Sequence, residues 1–158
     1  MVISQVERDP VRLRHPLSTV ISMDVLATPS GIGARAEAAV ASALVRAGCD
    51  VYLPAFTVNG RVDLIYFDAG RVVRMQCKNA RRVRDVLYFK TCSNTANVPR
   101  DYIGEIDEFG VYSPDTGLVY VVPAVGMPGR ACSLRLSATL NGQAAGVRWA
   151  RDYELGPP

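Results

Sequence analysis

Arg61-Val62-Asp63-Leu64-Ile65-Tyr66-Phe67-Asp68-Ala69-Gly70-Arg71-Val72-Val73-Arg74-Met75-Gln76-Cys77-Lys78 is the stretch on which the fold turns. Two runs rich in β-branched and aromatic residues, Arg61 to Phe67 and Val72 to Lys78, meet at Asp68-Ala69-Gly70, the pattern of a β-hairpin. Side chains alternate in face along a strand, so Gln76 and Lys78 share one face. Asp63 joins them only if paired residue numbers sum to 139. That takes a loop of two or four residues, the longer being Asp68 to Arg71. A three-residue loop with a bulge would turn Asp63 to the other face, because a one-residue slip flips every side chain. The even loop is the expectation.

Upstream, the spacing predicts a helix over Gly33 to Ala47, with Ser30 as N-cap and Gly48 as its stop. Ala34, Ala38, Ala41, Leu44, Val45 and Gly48 form an apolar stripe at helical spacing, with Arg35, Ser42 and Arg46 opposite. Glu37 sits within that stripe, where an unpaired carboxylate is costly, so a partner or a task is expected of it. Val51 to Leu53 reads as a short strand. Residues 1–30 carry Pro10, Pro16 and Pro29 and no sustained period. They read as an extension, disordered or untranslated, with Met23 as an alternative start; residues 31–158 form one domain.

Downstream, Leu87 to Lys90 is a weaker strand, followed by a polar loop from Thr91 to Arg100. A short helix is expected within Tyr102 to Glu108. Phe109 to Tyr112 and Leu118 to Val122 form a second hairpin, closed by Pro114-Asp115-Thr116-Gly117. Ala131 to Leu136 is the last strand. A helix followed by a mainly antiparallel sheet places the chain in the α/β or α+β class.

The 158 residues suffice for one hydrophobic core, and the composition, 49% hydrophobic and 21% charged, is that of a globular domain. There is no internal repeat and no low-complexity tract. Cys49, Cys77, Cys92 and Cys132 are dispersed, and His15 is the one histidine. They read neither as a zinc site nor as a disulfide framework, and they suit a reducing cytoplasm. Charges before any apolar run (Glu7, Asp9, Arg12, Arg14) argue against a signal peptide. The formal net charge of +3 is modest, but its distribution is not. Arg71 to Arg100 holds eight Lys or Arg against one acid, Asp85, whereas Asp101 to Tyr120 holds five acids and no base. A basic zone of this kind suits a phosphate backbone, and equally a solvated face.

Hydrolysis of a phosphodiester requires a hard divalent cation on oxygen ligands and a positive group near the attacking water. Asp63 supplies a carboxylate, Gln76 an amide oxygen and Cys77 its backbone carbonyl, while Lys78 stands where it can orient water and stabilise developing charge. Glu37 faces the same region from the helix. D-x₁₂-QxK alone is a weak signal, since such residues are common at strand starts and solvated edges. It gains weight from the order in which Glu37, Gly48, the hairpin and the basic zone occur.

Gly33-Ala34-Arg35-Ala36-Glu37, Gly48-Cys49-Asp50-Val51-Tyr52-Leu53-Pro54, Arg61-Val62-Asp63-Leu64-Ile65 and Met75-Gln76-Cys77-Lys78 together resemble PD-(D/E)xK endonucleases. The nearest branch is that of the group I intron homing endonucleases, which use Gln in place of the usual acid. Tyr102 to Tyr112, Val119 to Pro123 and Trp149 to Tyr153 are similar to it as well, so the likeness runs from about Gly31 to Leu155. The resemblance implies a restriction-endonuclease-like α-β-β-β-α-β core, a central mixed sheet flanked by helices. It also implies Mg²⁺ (with Mn²⁺ as a substitute), cleavage of double-stranded DNA, and assembly as a homo-oligomer, dimer or tetramer. Matched by motif, Glu37, Asp63, Gln76 and Lys78 are the catalytic set. Val62 stands where the motif has Pro, and Gln76 leaves one less negative charge on the metal.

Arg81, Arg82, Arg84 and Asn94 are candidate DNA contacts, with solvated loops as the plain alternative. Asp107 and Glu108 read as structural or capping residues rather than a second metal site. Tyr88, Phe89, Tyr102, Tyr112 and Tyr120 read as core or sheet-face aromatics, and Cys77 as a buried small residue. Two other functions fit the same residues: a structure-selective nuclease of the junction-resolvase type, and a nucleic-acid-binding module without catalysis.

Overall fold

The computed structural model describes residues 28–57, 60–95, 98–139 and 142–156. The expected N-terminal extension up to residue 27, with Met23 and His15, lies outside them. The first element is α1 (Pro29–Arg46). Its N-cap is Thr28 rather than Ser30; the Thr28 hydroxyl accepts from the Gly31 N–H at 3.1 Å, with Pro29 inside the first turn. It ends as expected at Gly48 in a Schellman closure. The Gly48 N–H bonds the Val45 carbonyl, and the Cys49 N–H the Leu44 carbonyl, both at 3.0 Å.

The buried stripe of α1 is Ala36, Val40, Ala43 and Leu44, not the expected one; Ala34, Ala38 and Val45 are exposed. In so alanine-rich a helix several phases look apolar. The branched side chains Val40 and Leu44 bury most area, and they set the phase.

After β1 (Val51–Tyr52) come β2 (Leu64–Asp68) and β3 (Arg71–Asn79). Their register pairs Leu64 with Met75 and Asp68 with Arg71, so paired numbers sum to 139 and the loop is the two residues Ala69-Gly70. Both have positive φ, 47° and 82°, the geometry of a type I′ turn that fits the strand twist. The chain continues through β4 (Arg81–Val83), β5 (Val86–Lys90), β6 (Cys92–Thr95), β7 (Val98–Asp101), β8 (Glu108–Ser113), β9 (Leu118–Pro123) and β10 (Ala131–Arg135). A 3₁₀ turn follows at Ala150–Asp152.

The central sheet has the order β1-β2-β3-β8-β9 and is mixed, since β3 and β8 run parallel while the other pairs are antiparallel. A parallel pair needs a crossover. Here it consists of β4–β5, which with β10 forms a three-stranded sheet, and the two-stranded ribbon β6–β7. The short helix expected within Tyr102 to Glu108 is a single turn instead. Gly104, at φ 75°, stops it, and Asp107 is drawn to β3, its N–H on the Arg74 carbonyl at 2.9 Å. The expected loop from Thr91 to Arg100 is the ribbon β6–β7, with Asn97 outside the described residues. One face of the sheet packs Leu64, Tyr66, Val73, Met75, Cys77 and Val119 against α1; the other packs Phe109, Val111, Tyr120 and Val122 against Leu87, Phe89 and Leu134. The fold is thus α/β, a central mixed sheet with a helix on one face and, among the described residues, a small sheet on the other. No described helix is long and apolar enough to cross a membrane.

Gly110 sets the approach of α1 to the sheet. A Cβ there would lie 2.6 Å from both Met75 Sδ and Val40 Cγ1. Gly110→Ala is therefore expected to cost about 1–3 kcal/mol by overpacking, which thermal denaturation would register as a melting temperature lower by about 3–10 °C. An unchanged midpoint would mean that helix and sheet yield at no cost.

Candidate nuclease active site

Asp63 stands just before β2, its N–H bonded to the Met75 carbonyl at 2.9 Å, one position out of the β2–β3 register. The Gln76 side chain nonetheless reaches the Asp63 carboxylate, and Gln76 and Lys78, beside Phe109 and Val111 of β8, lie on the sheet face away from α1. The Asp63 carboxylate accepts from the Cys77 backbone N–H at 2.7 Å and from the Gln76 side-chain amide. Burial pushes its pKa up to about 6, and the Glu37 carboxylate pushes the same way; the Cys77 N–H and the Lys78 charge oppose. Glu37 itself is exposed on α1, at the flank of the buried stripe rather than within it.

Gln76 is 7% exposed, and its amide oxygen is buried with no hydrogen-bond partner among the described residues. Such an orphan costs about 1–3 kcal/mol unless something meets it. Lys78 is half-buried and donates from Nζ to the Tyr102 hydroxyl at 2.8 Å. Burial holds its amine below the ordinary value, with Arg61 acting in the same direction and Asp63 against it. Cys77 points into the α1 core, where burial raises its thiol far above the usual range, so it is no nucleophile.

A hard divalent cation suits these donors. Asp63 offers a carboxylate that burial leaves short of positive charge, Gln76 an unmet amide oxygen, and Cys77 a main-chain carbonyl. Among the described residues no three His, Cys, Asp or Glu side chains gather into a metal cluster.

The other expected residues lie apart. Arg81 and Arg82 are exposed on β4, and Arg84 is exposed in the turn after it, at φ 54°. Arg82 spans locally to the Arg84 carbonyl at 2.8 Å and to Asp85 at 3.9 Å. Asn94 is exposed on β6. Asp107 grips Arg74, taking its backbone N–H at 2.8 Å and its guanidinium at 3.0 Å, and Glu108 accepts from Tyr66 at 2.6 Å. Both acids are engaged structurally. The sequence reading missed a polar cluster beside Lys78, formed by Arg61, Ser93, Tyr102 and Glu105. The available signal was parity, which puts Arg61 on the face of Asp63.

The structure of the bacterial homing endonuclease I-Ssp6803I is similar, with a TM-score of 0.60 at 15% identity over 81% of this chain and 87% of that one. At that identity the likeness is one of fold. Comparison with curated proteins finds no match. The family model for the PD-(D/E)XK endonuclease matches residues 28–156, nearly the whole described chain. The hairpin that carries Asp63, Gln76 and Lys78 lies within that match, and the chain belongs to the PD-(D/E)XK endonuclease family.

Proposed function

We propose that this nuclease is a divalent-metal-dependent endodeoxyribonuclease that hydrolyses double-stranded DNA in the manner of a homing endonuclease. The observation that carries the reading is the Asp63–Gln76 pair. A half-buried carboxylate and a buried, unpartnered amide oxygen lie side by side, next to a half-buried lysine. Asp63, the Gln76 amide oxygen and the Cys77 carbonyl would hold Mg²⁺, or Mn²⁺ in its place, with Glu37 adding negative charge from α1. The bound cation supplies charge that stabilises the phosphoryl oxygens and acidifies water. Lys78 sets its ammonium near the same face, where it orients the attacking water and offsets charge that develops on the phosphate. Arg81, Arg82, Arg84 and Asn94, all exposed, would contact the DNA backbone and grooves. Cutting both strands takes two such sites, so the working form is a homo-oligomer, dimer or tetramer, acting in the cytoplasm.

The test is cleavage of supercoiled plasmid and of a branched oligonucleotide, each with Mg²⁺ and with EDTA. Cutting with Mg²⁺ that stops with EDTA is expected, and plasmid preferred over branch supports the homing-type reading. Preference for the branch would make the protein a junction-type nuclease. Salt-sensitive binding without cutting of either would leave a DNA-binding module, a state in which the Gln76 amide N–H permanently satisfies Asp63.

A further inference from the structure

Tyr102 follows β7 and is 5% exposed, its ring edge-on to Phe109 at 5.7 Å between centroids. Packing alone would be served by phenylalanine. The hydroxyl has to be met when buried, and what meets it is Lys78 Nζ at 2.8 Å. The same ring is covered by the Arg61 guanidinium, 3.8 Å from its centroid, while Lys78 Nζ lies 4.6 Å away. Two cations thus share one aromatic ring, an arrangement that like-charge repulsion opposes unless one of them is neutralised. Arg61 is neutralised and fixed. Its Nε donates to Glu105, Nη1 to Ser93 Oγ at 2.6 Å and Nη2 to the Asp101 carbonyl. Glu105 in turn pairs with Arg100.

The order of support runs inward from the ribbon β6–β7 to the catalytic strand. Ser93 and Asp101 hold Arg61, Arg61 holds the ring of Tyr102, and the hydroxyl holds the lysine. A lysine ammonium ends a flexible four-carbon stem and otherwise samples many rotamers. We propose that Tyr102 is a positioning residue for Lys78, its hydroxyl fixing the ammonium on the face that carries Asp63 and Gln76 while Arg61 fixes the ring. Burial keeps the phenol neutral, pushing its pKa up to about 12, so it remains a hydroxyl throughout the working pH range. The proposal rests on the nuclease reading for its consequence in catalysis, but the contact can be tested without any cleavage.

Tyr102→Phe removes one oxygen and keeps the ring. The expected result is a kcat lower by about 10- to 100-fold, since misplacing a reacting group by about 1 Å costs on that order, with KM for DNA unchanged. The second readout uses the composition of the chain: Lys78 and Lys90 are its only lysines. Protein labelled with ¹⁵N-lysine therefore gives two side-chain ammonium signals, and Lys90, exposed at the end of β5, is the internal reference. The Lys78 signal shifts in Tyr102→Phe and the Lys90 signal stays, with the melting temperature within a degree or two of the wild type. A tyrosine that merely fills the core would be replaced by phenylalanine without moving the Lys78 signal, and an unmoved signal would overturn the proposal. An unchanged kcat would overturn it as well. A wild-type chain that cuts no DNA overturns the nuclease reading separately, and the ammonium signals then still decide whether Tyr102 holds the lysine.

Discussion

Lys78→Met is expected to lower DNA cleavage by roughly 10³-fold or more, the scale on which removal of a preorganised group at the developing charge is felt. Methionine matches the lysine stem in volume and removes an ammonium that burial disfavours, but it leaves the buried Tyr102 hydroxyl without its partner, so the fold is retained with a melting temperature within a few degrees of the wild type. DNA binding should fall by no more than a few-fold, because the proposed backbone contacts are the exposed arginines of β4 and its turn, not Lys78. Single-turnover cleavage in Mg²⁺ and binding in EDTA, measured on the same duplex, separate these effects. Cleavage at the wild-type rate would remove Lys78 from the mechanism. Equal loss of binding and cleavage would make it a phosphate contact instead.

Asp63→Asn is expected to abolish cleavage and, at neutral pH without metal, to stabilise the protein. The folded carboxyl titrates near 6 against an ordinary value of 3.8, chiefly because it is buried. The folded state therefore binds this proton more tightly than the unfolded state. Stability is favoured below about pH 4, falls as pH rises through the interval to about 6, and carries the full cost of the buried charge above that. The carboxyl is half-buried rather than fully so, and solvent screening reduces that cost to roughly 1–2 kcal/mol. Asparagine keeps an oxygen for the Cys77 N–H and carries no charge. Its melting temperature in EDTA should exceed the wild type by about 2–6 °C at pH 7.5 and by nothing at pH 4. Mg²⁺ should reverse the order, raising the wild type and leaving the variant where it was. An Asp63→Asn melting curve below that of the wild type at pH 7.5 in EDTA would mean that the carboxylate serves the fold rather than the metal.

The hairpin was legible because its signals agree: apolar alternation on both strands, a turn segment that admits positive φ, and a parity requirement that only an even loop satisfies. The register keeps the expected even loop, and the Gln76 amide meets the Asp63 carboxylate. The stop of α1 was legible for a similar reason, since Gly48 follows the last helical position. The phase of α1 was not, because alanine at most positions gives no contrast and the outcome depends on where Val40 and Leu44 meet the sheet. The ribbon β6–β7 has polar side chains and Pro99 within it, so periodicity is silent there, and only the ladder from Cys92–Asp101 to Thr95–Val98 defines it. The Arg61 cluster was hidden by distance along the chain, since Arg61 and Glu105 lie 44 positions apart and meet only once the crossover is folded. The tight fit at Gly110 was hidden for the same reason, since Val40 and Met75 reach it only from distant positions in the chain.

Asp63 and Gln76 are proposed to hold the metal with which this nuclease cuts DNA. The most direct test is the nicking and linearisation of supercoiled plasmid by wild type and by Asp63→Asn, each in Mg²⁺ and in EDTA. The account predicts cutting by the wild type in Mg²⁺ alone and none by the variant in either condition. Metal-dependent cutting by Asp63→Asn at the wild-type rate would contradict it and place the active centre elsewhere on the chain.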